Sequence, residues 1–232
     1  MKNEKKIRVG FLVSGNGGSL KFIHQAAQHL DLPLEVSIVL ADRACGALNY
    51  ARAAGLPHQQ LHYTRKSPAA LQQALREAKP DVVVTNIHKI IDAGTLNLLP
   101  QQFINLHYSL LPAFKGFIGM ETVEQARTNN VTIIGATCHE VDEEVDNGRC
   151  MGQFAFGVNW GYDTTTDVYE LMFRGASLVL LQGLLQRTIQ QPVVADSAFL
   201  ITMGRQLLFA PALNFSPETL DELFWQHVKD SM

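Results

Sequence analysis

Cysteine is nearly missing from this chain. The three present, Cys45, Cys138 and Cys150, are odd in number and form no C-x-x-C, which excludes a disulfide framework and the common zinc spacings and leaves small buried thiols. No metal site is expected. Charge is sparse too: 18% of residues are charged and the net charge is -3, so no basic surface for nucleic acid is on offer. The one basic cluster, Lys2, Lys5, Lys6 and Arg8, is short and diluted by Glu4. No apolar run reads as long enough to span a membrane, and the N-terminus lacks the apolar core of a signal peptide; a cytoplasmic protein without a membrane partner is expected. Repeats, low-complexity tracts and linker-like compositions are also lacking. What is there is an ordinary globular balance, 47% hydrophobic over 232 residues, sufficient for one well-buried α/β domain with an appendage.

Strands and helices alternate along the first half. Ile7 to Val13 is a nearly all-apolar run of the kind covered on both faces. It leads through Ser14-Gly15-Asn16-Gly17-Gly18-Ser19 into a segment with Leu20, Ile23 and Ala27 at helical spacing. Glu35–Ala41 and Asp81–Thr85 read as further strands, and Pro57–Leu61 as a short edge strand. Gly46–Ala54 and Pro68–Lys79 read as helices, the first closed by Gly55 and the second ended by Pro80. This alternation predicts an α/β, Rossmann-like open sheet, mostly parallel and flanked by helices. Backbone amides in the glycine turn, with the positive end of the following helix, suit a phosphate or carboxylate. Leu20 stands where G-x-G-x-x-G needs its last glycine, which weakens a nicotinamide-binding reading built on Gly15–Gly18 with Asp42 as ribose ligand.

The residues that carry chemistry lie in Phe103–Gly116, FINLHYSLLPAFKG. Strand periodicity puts Asn105 and His107 on one face, and Pro112 with Gly116 stops the strand. An amide donor and an imidazole thus stand side by side where open α/β sheets bind ligands. His88 and Lys89, straight after the preceding strand, are expected at the same rim. Downstream, Met120–Thr128 reads as a helix and Val131–Val141 as a strand. An acidic turn, Asp142 to Gly148, then leads into a strand near Cys150–Phe156, a β-hairpin extension signalled by Asn147-Gly148. One of its four acids, folded inward, would serve as a base. Thr166–Gln186 is the longest helical signal; whether its Arg174 faces in or out is open. The tail carries short apolar runs, Phe199–Ile201 and Leu207–Phe209, and a last helix starting at Ser216 with Pro217 at its first position and Leu220, Leu223, Phe224 and Val228 following. The chain is divided accordingly into a catalytic domain, 1–190, and a C-terminal extension, 191–232, that covers an edge or meets a second subunit in a homodimer.

Taken together, Asn105-x-His107-x-Ser109-Leu110-Leu111-Pro112-x-x-Lys115-Gly116, Gly135-Ala136-Thr137-x-His139 and Asp146-x-Gly148 resemble the 10-formyltetrahydrofolate-dependent formyltransferases over about Ile7–Gln186. Within that family the chain looks like the glycinamide ribonucleotide transformylases, with formyltetrahydrofolate deformylases also similar. The resemblance implies Asn105, His107 and Asp146 as catalytic residues and 10-formyltetrahydrofolate as formyl donor. It places the folate against His88, Lys89, Ile90 and Ile91 and against Val141, Asp142, Glu143 and Val145. A small-molecule amine acceptor, phosphorylated or not, is placed at Gly17, Gly18, Ser19, Leu106 and Tyr108. Tyr108 stands where transformylases usually carry Pro, Arg149 where Pro commonly follows Asp-x-Gly, and Lys89 where Arg is usual. These departures bear on the acceptor and folate sides and leave the reaction class unchanged. The ACT domain usual in deformylases is not seen in the sequence, so transfer to an amine is expected over hydrolysis. A non-catalytic folate or nucleotide module is the reading from another class.

Overall fold

Ile7–Val13 forms strand β1, with Val9, Phe11 and Leu12 fully buried, as a run apolar on both faces requires. In a computed structural model that describes residues 6–188 and 196–231, the chain forms two compact units, Met1–Ile104 with Glu218–Met232, and Asn105–Pro217. In the first unit β1 is followed by helix α1 (Gly18–His29), β2 (Leu34–Ala41), α2 (Gly46–Ala53), β3 (His58–Gln60), α3 (Ala69–Ala78), β4 (Val82–Asn86), α4 (Ala93–Leu96) and the start of β5 (Phe103–His107). Its strands lie in the order β3-β2-β1-β4-β5, every described pair parallel. This is the Rossmann-like arrangement expected, with β3 as the short edge strand.

The second unit is antiparallel. It holds α5 (Glu121–Thr128), β6 (Ile133–Glu140), β7 (Cys150–Gly157), α6 (Thr165–Thr188), β8 (Ala198–Thr202) and β9 (Arg205–Ala210), with strand order β6-β7-β9-β8. The expected hairpin is β6–β7, and the apolar runs of the tail pair as a second one. Helix α6 lies against both β6 and β7. Two glycines let it approach: a Cβ on Gly175 would sit 2.2 Å from the Phe154 ring, and one on Gly183 would sit 2.5 Å from Cys138 Sγ. By length and composition α6 could cross a membrane, against the sequence expectation that no such run exists, and 83% of that apolar window is buried inside the protein. Arg174 turns inward and pairs with Glu170 at 2.7 Å.

The last helix belongs to the first unit and begins later than expected. Pro217–Thr219 makes only a 3-10 turn, and α7 runs Glu222–Asp230 with Asp221 as its cap, whose carboxylate accepts from Phe224 N at 2.9 Å. A side-chain oxygen that accepts from a first-turn amide defines the stronger start, so Leu223 is exposed while Phe224, Trp225 and Val228 are buried. Trp225 stacks on Phe22 of α1, centroids 5.2 Å apart, and Phe224 meets the same ring edge-on at 6.0 Å. Residues 191–195 of the expected extension lie outside the described residues.

Candidate active site

Asn105 and His107 project from β5 on one face, the first half-buried and the second buried. Asp146 reaches His107 from the turn between β6 and β7. Its backbone is left-handed, φ 52°, and a Cβ on Gly148 would lie 1.8 Å from the Glu140 carbonyl oxygen. Only glycine lets the chain double back that closely, which is the physical content of Asp-x-Gly here. Asp142, Glu143 and Glu144 stay exposed, so Asp146 is the inward-folded acid of the four, its side chain 9% exposed.

That carboxylate faces two imidazoles. Asp146 Oδ2 is 3.3 Å from His107 Nδ1, and Oδ1 is 3.7 Å from His139 Nε2. Gly116 N donates to Oδ2 at 2.8 Å. At the far side of the His107 ring, Nε2 lies 3.0 Å from the Phe114 carbonyl; a carbonyl only accepts, so Nε2 carries a proton. The Nδ1 edge is left facing the carboxylate.

His139 has no role in the sequence reading, although its motif is part of the resemblance. Its Nδ1 donates to the Glu140 carbonyl at 2.7 Å, and its Nε2 lies 3.2 Å from Asn105 Nδ2. An amide nitrogen only donates, so Nε2 is the bare, accepting atom and the ring is neutral. Burial pushes the His139 pKa below the ordinary histidine value, outweighing the raising effects of the Glu140 carbonyl and the Asp146 charge. His139 therefore fixes one amide hydrogen of Asn105 and aims the other.

The loop behind the pair is braced from within. The Thr137 hydroxyl, fully buried, donates to the Ser109 carbonyl at 2.7 Å and accepts from Leu111 N at 3.0 Å and Gln153 Nε2 at 2.9 Å. Hydroxyls of Ser109 and Thr122 bond the carbonyls of Ala113 and Tyr108.

Formyl transferase is the family that matches this chain, over residues 7–182. The chain belongs to the formyl transferase family. The phosphoribosylglycinamide formyltransferase of Mycobacterium tuberculosis is 33% identical over 213 residues, covering 86% of this chain and 93% of that protein. The chloroplastic phosphoribosylglycinamide formyltransferase of Vigna unguiculata is 30% identical over 158 residues, 64% of this chain and 51% of that protein; the chain thus spans about half the length of such plant relatives. Among solved structures, glycinamide ribonucleotide transformylase 1 of Symbiobacterium toebii superposes with a TM-score of 0.73 at 28% identity, covering 88% of this chain and 94% of that one. A formyltetrahydrofolate deformylase of Pseudomonas syringae shares the fold, TM-score 0.70 at 22% identity, over 88% of this chain and 66% of that one.

In this formyl transferase the residues assigned to acceptor and folate are distributed over both units. Gly17 (φ 77°), Gly18 and Ser19 open α1 in the first unit, with no side chain capping the helix; Gly17 packs so tightly that a Cβ would come 2.7 Å from Ala47 Cβ. His88, Lys89 and Ile90 are exposed and Ile91 is core. Their segment is held by Tyr63, whose hydroxyl donates to the Ile90 carbonyl at 3.0 Å and accepts from Asp92 N at 2.9 Å. His88 N donates to Ser14 Oγ. The alternative ribose ligand, Asp42, is engaged elsewhere: it accepts from Ser14 Oγ at 2.7 Å and from Arg43 at 3.1 and 2.8 Å. Burial alone would raise its pKa, but those donors and the Arg43 charge hold it below the usual carboxylate range. In the second unit Val141 and Tyr108 are half-buried, Asp142, Glu143 and Val145 are exposed, and Leu106 alternates away from His107 into the core.

Proposed function

We propose that this formyl transferase moves the formyl group of 10-formyltetrahydrofolate to an amine on a small, anionic acceptor of the glycinamide ribonucleotide kind. The approach of Asp146 to His107 at 3.3 Å, with Asn105 on the same face of β5 and bonded to His139, supports the reading, as do the relatives named phosphoribosylglycinamide formyltransferase. The amine nitrogen attacks the formyl carbon and a tetrahedral oxyanion forms. Asn105 Nδ2–H and His107 Nδ1–H donate to that oxygen, a preorganised pair of which each member is worth about a hundredfold to a thousandfold in rate. Asp146 steadies the His107 ring and, directly or through water, takes the proton lost by the amine. The oxyanion then recloses to the carbonyl of the new formamide, the bond from formyl carbon to folate nitrogen breaks as that nitrogen takes up the proton released by the amine, and tetrahydrofolate leaves. The exposed acceptors of the Asp142–Val145 turn, beside Asp146, suit the N–H donors of a pterin. The Gly17–Ser19 turn, at the start of α1, would take the anionic group of the acceptor. On this reading residues 1–190 carry catalysis and 191–232 complete the fold.

Water in place of the amine would give hydrolysis by the same groups. The test is to incubate the protein with 10-formyltetrahydrofolate, with and without glycinamide ribonucleotide and other amines, and to follow tetrahydrofolate. Turnover that requires an amine is the expected result; equal turnover without one makes it a deformylase, and tight folate binding without turnover makes it a binding module. His107→Ala and Asp146→Asn should abolish turnover while folate binding persists, and near-normal rates in either would remove the mechanism.

A further inference from the structure

Three consecutive residues each contribute one group to an arm of the catalytic set. The Phe114 carbonyl accepts from His107 Nε2 at 3.0 Å, Gly116 N donates to Asp146 Oδ2 at 2.8 Å, and between them Lys115 Nζ donates to Asn147 Oδ1 at 3.0 Å. The backbone makes this possible: Phe114 and Gly116 are both left-handed, at φ 55° and 79°, a conformation that a phenylalanine keeps only where its surroundings hold it. Two of the three contacts are backbone groups that any sequence supplies. The Lys115–Asn147 bond is the one made by a chosen side chain. It is charge-assisted, hence stronger than a bond between neutral groups, and among the described residues no carboxylate pairs with Lys115.

We infer that Phe114–Lys115–Gly116 is a clip that sets the pose of His107 against Asp146, and that Lys115 is the positioning residue that closes it. This rests on the reading of Asn105, His107 and Asp146 as the reacting set. Asp146 Oδ2 is shared between Gly116 N and His107 Nδ1, and Asn147 is its chain neighbour. Separating the 114–116 turn from the 146–148 turn therefore releases the ring at Nε2 and the carboxylate at Oδ2 together. Reacting groups then lose orientation without any loss of donor binding.

The experiment is a double-mutant cycle on the full chain, Lys115→Met, Asn147→Ala and the pair, with Lys115→Arg as the conservative variant and His107→Ala as control. Tetrahydrofolate formation from 10-formyltetrahydrofolate and glycinamide ribonucleotide is read alongside the His107 ring N–H resonance by proton-nitrogen NMR. Each single variant should lower kcat about tenfold with KM for the donor within about twofold, and the pair should be no slower than either single, since both break one bond. Lys115→Arg should restore the rate, and the Nε2–H signal, sharp in the wild type, should broaden in Lys115→Met and Asn147→Ala. Additive losses, an effect on KM alone, or an unchanged ring signal would overturn the clip; the second result would instead make Lys115 a substrate contact. An active His107→Ala would overturn the parent reading, and the ring signal would still judge the clip.

Discussion

Replacing His139 by phenylalanine tests how Asn105 is aimed. The ring volume is nearly kept, but the acceptor 3.2 Å from Asn105 Nδ2 and the donor 2.7 Å from the Glu140 carbonyl are both removed. Losing the partner of a buried polar group costs about 1–3 kcal/mol in stability, since the Glu140 carbonyl is left without its donor. The loss in rate has a ceiling, the whole worth of one oxyanion donor, about a hundredfold to a thousandfold. A free amide still samples the productive rotamer part of the time, so His139→Phe should cost roughly 10- to 100-fold in kcat. In an Asn105→Ala background the same change should cost almost nothing, because there is no amide left to orient. pH gives an independent reading. Burial lowers the pKa of His139, so the unfolded chain gains a proton as pH falls below the ordinary value of 6.5 while the folded ring stays neutral, and this group's contribution to stability is lost on the acid side. Protonation of Nε2 at still lower pH would abolish the acceptor and the rate together. Urea melts and initial rates from pH 8 to pH 5 should show this limb in the wild type and not in His139→Phe. A variant within twofold of wild type in kcat, or one whose loss persists fully without Asn105, would refute the argument.

Gly148→Ala places a methyl 1.8 Å from the Glu140 carbonyl, so the turn must open and Asp146 retreat; kcat should fall by at least about a hundredfold with the fold intact by circular dichroism. Tyr63→Phe removes a hydroxyl bonded to the Ile90 carbonyl, Asp92 N and Asp92 Oδ2 and should cost about 1–3 kcal/mol in urea unfolding, with KM for the folate donor raised as the 88–91 segment loosens. Trp225→Ala takes away the stacked partner of Phe22 and should cost about 3–5 kcal/mol with kcat unchanged, measured by thermal melt and initial rate.

How far the residues announced all this depends on which force sets each feature. The placement of Asn105 and His107 on one face follows from a two-residue period that any strand obeys and was legible from the residues, whereas Asp146 was picked from the four acids of its turn only through the family resemblance. The role of His139 was not legible, because a register shift between Cys138 and His139 in the β6–β7 pairing re-aims that side chain, and periodicity carries no sign of a bulge. The Phe114 carbonyl that holds His107 is a backbone atom and has no residue signature at all. Helix α7 was placed too early since Pro217 is a good first helical residue, and the carboxylate of Asp221, four positions on, made the better cap. Nor could sequence foretell the inward turn of Arg174, because a buried arginine needs a partner, and Glu170 supplies it from the preceding turn of the same helix.

Arg149 is a departure from the family pattern whose side-chain contacts are set within the hairpin. Standing where Pro commonly follows Asp-x-Gly, it reads as a residue of the acceptor or folate side. In the structure its guanidinium donates to Glu140 Oε1 through Nε at 3.1 Å and through a terminal nitrogen at 2.6 Å, and Arg187 bonds the same oxygen. Burial would raise the Glu140 pKa, but the two arginines hold it below the usual carboxylate range. Glu140 is also the residue whose carbonyl holds His139 Nδ1 and whose amide donates to the Arg149 carbonyl. The substitution therefore acts at the base of the hairpin, one bond removed from His139 and two from Asn105. An ion pair there fixes the strand ends that a proline would fix by restricting its own backbone. Arg149→Pro should accordingly leave the acceptor preference of the enzyme where it is and change its stability by less than about 1 kcal/mol, the usual range of an exposed ion pair. A switch of acceptor in that variant, measured as a changed ratio of kcat/KM between two amines, would return Arg149 to the substrate side.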